Sequence, residues 1–232
     1  MLKVQCLEIS IVQIGETWGI FGELWQVLHT VGCYSVGNKR KKNSHETLTG
    51  ASTMTNLQTK VLETKRLLLR HLTMDDLDDL FALYHDGEVT QYMPDAPKSY
   101  EETKEELEWI VNVYYGQYGF GPWGTILKET GMFIGRCGLI PWTIEEREEV
   151  KVAYALAGKY WGQGLGTEAT QAVAKYAFEH LHLSRLICLV TNDNHASIRI
   201  ARKIGMTFEK EVEVDGKGFL LFSAAKPPDS RR

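Results

Sequence analysis

Gly162-Gln163-Gly164-Leu165-Gly166-Thr167-Glu168-Ala169 is the stretch on which the reading of this chain turns, because a glycine-rich turn there opens directly onto a helix. Before it runs Val150-Lys151-Val152-Ala153-Tyr154-Ala155-Leu156, with the β-branched and aromatic content that strands favour. After it, Ala169, Ala172, Val173, Tyr176, Ala177 and Phe178 recur at helical spacing. Strand, glycine turn and helix N-terminus together make an anion site. The first helical N–H groups have no partner inside the helix, the helix dipole is positive there, and glycines let backbone approach a phosphate closely. A nucleotide P-loop would end in Gly-Lys-Ser/Thr, whereas Thr167-Glu168 follows Gly166. A dinucleotide fingerprint needs a wider last glycine spacing than the even one of Gly162, Gly164 and Gly166.

Extended to Tyr160-Trp161, the stretch resembles the acetyl-CoA pyrophosphate loop of the GNAT acetyltransferases, notably the branch typified by ribosomal-protein N-acetyltransferases. Two further blocks fit in order. Leu62-Glu63-Thr64-Lys65-Arg66-Leu67-Leu68-Leu69-Arg70 and then Thr73-Met74-Asp75-Asp76 looks like that branch's first strand and helix cap. Asn194-His195-Ala196-Ser197-Ile198 and then Lys203-Ile204-Gly205-Met206 resembles its Asn-x-x-Ser motif and its helix-ending lysine–aliphatic–glycine. The resemblance covers about Leu62 to Ser223.

At 232 residues the chain suits one domain with an appendage. A hydrophobic content of 44% and a charged content of 24% are those of an ordinary soluble globular protein, and a net charge of −4 gives no reason to expect nucleic-acid binding. Cys6, Cys33, Cys137 and Cys188 are scattered without metal-ligand pairing, so disulfides and metal are not expected and a reducing cytoplasm is inferred. Met1 to Gly37 is poor in charge, but Glu8, Glu16 and Glu23 with Gly15, Gly19 and Gly22 interrupt any run of the about 20 apolar residues that span a membrane. The basic cluster Lys39-Arg40-Lys41-Lys42 and a polar run to Asn56 follow. Residues 1–56 are therefore expected to be an extension outside the fold, with Met54 as the working start, residues 57–225 the domain, and residues 226–232 a frayed tail.

Within the domain, Val61 to Arg70 reads as a strand and Thr73 as the N-cap of a helix whose positive end Asp75 and Asp76 complement. A second helix is expected from about Ser99 to Tyr115. Pro122–Leu127, Phe133–Ile140 and Glu149–Leu156 read as strands, the last after a charged loop from Glu145 to Glu148. Arg185–Val190 reads as a strand, Ala196–Ile204 as a helix closed by Gly205, and Thr207–Val214 with Gly218–Ser223 as a hairpin turned near Asp215-Gly216. Strands first and then interleaved helices and strands argue an α+β fold; the resemblance makes its sheet mixed, mostly antiparallel and flanked by helices.

The resemblance also implies the chemistry. Acetyl-CoA is the co-substrate, its pantetheine lying where the strand before the glycine turn splays from Arg185–Val190, in the manner of an added strand. Backbone N–H groups of Gly162, Gln163, Gly164, Leu165, Gly166 and Thr167 would hold the pyrophosphate, and an N–H near Ala155 or Leu156 would polarise the thioester carbonyl. Many relatives carry a glutamate where Lys151 stands and a tyrosine where Ala201 stands. Glu149, on the same strand face as Lys151, is the substitute base, or the two form an exposed charge pair. Ser197 is the candidate donor to the departing thiolate, or a helix-capping serine; Asn194 bonds the pantetheine amide, or is a plain N-cap, roles that can coexist. Asp86, Glu88 and Trp123 are candidate walls for the acceptor, although Trp123 also fits a buried strand position. The activity implied is acetyl transfer to a primary amine, on a protein N-terminus or a small molecule, by direct attack in a ternary complex. The enzyme would be a monomer or homodimer with no nucleic-acid or membrane partner. The alternative is a non-catalytic acetyl-CoA-binding module.

Overall fold

Two short strands open the part of the chain that this computed structural model describes, residues 60–93 and 95–226. The expected N-terminal extension, Met54, Cys6, Cys33, the basic cluster and all of the tail after Lys226 lie outside the described residues. Strand β1 (Lys60–Glu63) pairs antiparallel with β2 (Leu67–His71), so the single strand expected from Val61 to Arg70 is a hairpin. Thr64 breaks the run: its N–H donates to Leu67 O at 2.8 Å, and Leu67 N–H donates back to Thr64 Oγ1 at 2.9 Å. A hydroxyl that offers the backbone a local partner competes with strand pairing in this way.

Past β2 a 3₁₀ turn, Met74–Asp76, leads into helix α1 (Leu77–Tyr84). Thr73 is the N-cap and Asp76 lies in the first turn as expected; the Asp76 carboxylate also receives the two terminal Arg70 guanidinium nitrogens, at 2.6 and 2.7 Å, and the Thr73 N–H at 2.8 Å. The short helix α2 (Gly87–Thr90) and α3 (Tyr100–Trp109) follow, α3 capped by Ser99, whose Oγ accepts the Glu102 N–H at 3.1 Å. The expected long second helix continues through a π-helical segment, Ile110–Tyr114, into α4 (Tyr115–Tyr118).

Strands β3 (Pro122–Leu127), β4 (Met132–Ile144) and β5 (Arg147–Leu156) form a meander. The charged loop before β5 shrinks to Glu145 and Glu146, both at positive φ (48° and 65°), the backbone that a two-residue hairpin turn demands. Helix α5 (Leu165–Glu179), β6 (Arg185–Val190), α6 (His195–Lys203), β7 (Thr207–Val214) and β8 (Lys217–Ala225) complete the chain, with Gly205 at φ 85° closing α6. The strands form one eight-stranded sheet in the order β1-β2-β3-β4-β5-β6-β8-β7, in which only β5 and β6 are parallel. This is the mixed, mostly antiparallel α+β architecture expected from the sequence.

Alternation along the strands divides the core. Leu67, Leu69, Trp123, Cys137, Leu139, Val152, Leu156, Leu186, Cys188 and Val190 face α5, which contributes Leu165, Ala169, Val173 and Ala177. On the opposite face α1 and α3 cover Leu72 and Ala155, while Ile144, Ile187, Val212 and Leu221 form a separate cluster. Each of these large apolar side chains contributes about 1.5–3 kcal/mol when fully buried. The Arg70–Asp76 pair, with side chains 14% and 5% exposed, is a polar contact within this packing that burial makes costly to break. Asp76→Ala leaves a buried guanidinium without its carboxylate and is expected to lower stability by about 3–5 kcal/mol in urea unfolding.

Candidate active site

The parallel strands β5 and β6 share one register pair, Lys151 with Ile187, and then part. β5 runs on to Leu156 in unbroken register with β4. In an antiparallel ladder alternate residues turn their polar backbone to the same neighbour. Ala157 N–H donates to Ile134 O at 3.0 Å, so Ala155, two residues earlier, also faces β4; its carbonyl would lie 2.1 Å from a Cβ placed on Gly135. The expectation that Ala155 offers an amide to the opening is corrected on this ground. Tyr154 and Leu156 have the opposite parity and face it, and Leu156 O accepts the Trp161 indole N–H at 2.6 Å.

Next in the chain, Gly162 and Gly164 both sit at φ 76°, a conformation glycine adopts without steric cost. Gly166 serves close packing instead: a Cβ there would lie 3.2 Å from Ile200 Cδ1 and 3.5 Å from Tyr154 Cε2. Among the described residues no backbone acceptor outside the helix meets the amides of residues 163–167, which gather at the start of α5. Such a donor set fits a diphosphate. Arg66, on the β1–β2 turn, reaches this loop from about a hundred residues away, a neighbour that sequence reading missed because only tertiary pairing brings it there.

Asn194 caps α6, its Oδ1 accepting the Ser197 N–H at 3.0 Å. Ser197 Oγ lies 2.7 Å from Tyr154 Oη, a hydrogen bond that joins α6 to β5 beside the opening. Burial pushes the Tyr154 phenol up, against the pull of the Ser197 hydrogen bond, so the phenol stays protonated. Tyr154 was passed over in the sequence as one more aromatic strand residue. Ala201 is fully buried, 1% exposed, and carries no donor.

Across the sheet the expected base is occupied. Glu149 accepts Arg185 Nε at 3.0 and 3.1 Å and lies 3.2 Å from Arg147 Nε, with its side chain 6% exposed. It forms no charge pair with Lys151, whose Nζ stands 3.4 Å from the centre of the Trp142 ring. Desolvation pulls the Lys151 ammonium down to about 8. Asp86 and Glu88 approach the start of the glycine loop: Gly158 N–H points at Asp86 Oδ2 at 3.4 Å, and a Cβ on Gly158 would meet Glu88 Oε2 at 2.6 Å. Trp123 is buried beneath α5, edge-on to Tyr176 at 5.5 Å, and forms no acceptor wall. Among the described residues no cluster of three or more His, Cys, Asp or Glu side chains is placed to hold a metal ion, and no helix is long and apolar enough to cross a membrane.

A family described as the acetyltransferase (GNAT) domain matches residues 66–207. The chain belongs to the GNAT acetyltransferases. An uncharacterised Bacillus subtilis protein, YkkB, is 34% identical over 72% of this chain and 96% of its own length. YoaA of the same organism, an uncharacterised N-acetyltransferase, is 32% identical over 65% of this chain and 84% of its own. The fold is also that of the aminoglycoside acetyltransferase AAC(6')-Ib crystallised with coenzyme A, at TM-score 0.59 and 19% identity over 69% of this chain and 95% of that one. This GNAT chain is thus an acetyl-CoA-dependent N-acetyltransferase, and the alternative of a non-catalytic binding module is not favoured.

Lys151 yields a signed test. Its ammonium loses its proton more easily in the folded chain than in the unfolded one, where the ordinary value is 10.5. Between about pH 8 and 10.5 the unfolded state binds more protons, so wild-type stability gains with pH from this group across that window. Lys151→Met is expected to abolish that gain: its stability relative to wild type, from urea unfolding, is highest below pH 8 and declines towards pH 10.5.

Proposed function

We propose that this enzyme acetylates a primary amine, on a protein N-terminus or a small molecule, by direct attack on the acetyl-CoA thioester within a ternary complex. The observation that carries the reading is the parting of β5 from β6 at one rung, flanked by the unpartnered amides of the glycine turn and by the Tyr154–Ser197 hydroxyl pair. The functional unit is taken as residues 57–225, and the ribosomal-protein branch is favoured by the three ordered sequence blocks.

When bound, acetyl-CoA supplies an activated acetyl group. Residues 162–167 hold its diphosphate through backbone N–H groups, and Asn194 pairs with its pantetheine amide. Leu156 offers the oxyanion donor, the parity of β5 having removed Ala155 from that role. An attacking amine must be neutral. An α-amino group, with an ordinary pKa of about 7.7–8.0, needs about one unit of help at neutral pH, and a lysine at about 10.4 needs about three. Lys151, neutral above about pH 8, is the group on β5 that accepts this proton, since Glu149 is held by two arginines. The face of Trp142 opposes this by favouring the ammonium, so the lysine is poised between the two forms. On the leaving side the Tyr154 and Ser197 hydroxyls share a hydrogen bond, and with the phenol as donor the serine proton is free for the departing sulfur. Asp86 and Glu88 place negative charge where a cationic amine would approach.

Initial-rate measurements with acetyl-CoA and a panel of amines check the mechanism: intersecting patterns support direct attack, whereas parallel lines would sink it. Ser197→Ala is expected to lower kcat by about 10²-fold, with KM for acetyl-CoA little changed and a smaller loss in Tyr154→Phe. The wild-type rate should rise with pH through about 8, and Lys151→Met should flatten that rise.

A further inference from the structure

Glu168 poses an electrostatic problem. It stands in the first turn of α5, where a carboxylate suits the helix dipole but repels the phosphates that the same N-terminus attracts. The structure answers it with a brace from the β1–β2 turn. Thr64 Oγ1 donates to Glu168 Oε1 at 2.6 Å, Arg66 N–H to the same oxygen at 2.8 Å, and Arg66 Nε to Oε2 at 2.6 Å. Burial alone would raise the Glu168 carboxyl, yet these bonds outweigh it and hold the group below its ordinary range. The carboxylate is therefore ionised, saturated with donors and neutralised by a single guanidinium.

That guanidinium has more to give. Arg66 Nη1 donates to Gln163 O at 2.9 Å, in the middle of the glycine turn. Nη2 has no hydrogen-bond partner among the described residues and lies 3.6 Å from where a Cβ on Gly164 would sit. The side chain is 42% exposed, and this last nitrogen stands beside Gly164, within the glycine turn whose amides lack backbone acceptors among the described residues. Arginine suits the position: its rigid guanidinium carries five N–H donors, so Nε can hold the carboxylate and Nη1 the loop carbonyl while Nη2 keeps donors in a fixed direction, which a lysine cannot do.

We propose that Arg66 is a ligand of the donor's diphosphate, contributing Nη2 to a cradle that its other nitrogens hold in shape. The assignment rests on the acetyl-CoA reading above and adds to it a residue outside the glycine turn, on a turn made about a hundred residues earlier.

Calorimetry with coenzyme A, dephospho-coenzyme A and pantetheine tests it, together with kcat/KM for acetyl-CoA and for S-acetylpantetheine, which lacks the diphosphate. Arg66→Ala is expected to weaken coenzyme A and dephospho-coenzyme A alike by at least about tenfold, the effect of losing a charge-assisted hydrogen bond. kcat/KM should fall as much for acetyl-CoA and stay unchanged for S-acetylpantetheine. Arg66→Lys, which keeps the charge without the fork, should show an intermediate loss with the same selectivity, and carries the test should Arg66→Ala fail to fold. Equal losses with S-acetylpantetheine would reduce Arg66 to a structural brace and overturn the proposal. A loss that disappears with dephospho-coenzyme A would move the contact to the 3′-phosphate and overturn it as well. Absence of coenzyme A binding by the wild-type chain would instead remove the acetyl-CoA reading itself.

Discussion

One rung of parallel pairing, Lys151 with Ile187, decides what this sheet can do. Each strand at that rung is firmly sewn on its other side. β5 follows β4 from the Glu145-Glu146 turn to Leu156, and β6 follows β8 along its whole length from Arg185 to Val190. Two antiparallel halves therefore meet at a seam they do not close. Backbone groups left open at such a seam cost free energy unless something bonds them. The amides of Tyr154 and Leu156 face this seam by the parity of the β4 ladder.

The two ends of the seam have different chemistry. Towards the glycine turn the surroundings are polar backbone, with Gly162 and Gly164 bent into a conformation that exposes N–H groups. On the α5 face, Tyr154 and Ser197 join strand to helix through hydroxyls alone. On the opposite face Lys151 rests on Trp142, between the cluster covered by α1 and α3 and the cluster built on β6 to β8. Lys151 and Tyr154 thus sit on opposite faces of one strand, because an odd spacing on a strand changes face.

Much of this fold was legible in the sequence. β3 and β6 fall where apolar runs between turn residues put them, and the glycine turn and α5 follow from local pattern alone. Val61 to Arg70 reads as one strand although the polar run Glu63-Thr64-Lys65-Arg66 interrupts its hydrophobicity, and the turn that Thr64 closes falls in that run. Glu149 looked available because Arg185, on β6, reaches it only through tertiary pairing, although Arg147 stands two residues before it on β5; the Arg70 partner of Asp76 was likewise not visible in the sequence. In the site, the glycines announced themselves through backbone need. Tyr154 and Arg66 did not, since their partners are 43 and 102 residues away and no local spacing encodes them.

The brace between Thr64, Arg66 and Glu168 also bears on how the protein comes to life on the ribosome. Its two ends are synthesised about a hundred residues apart, and closing so long a loop is slow compared with forming a helix or a hairpin. β6 in turn must wait for β8, which is translated after α6 and β7. A growing chain thus carries the glycine turn and its helix before β8 exists to anchor β6.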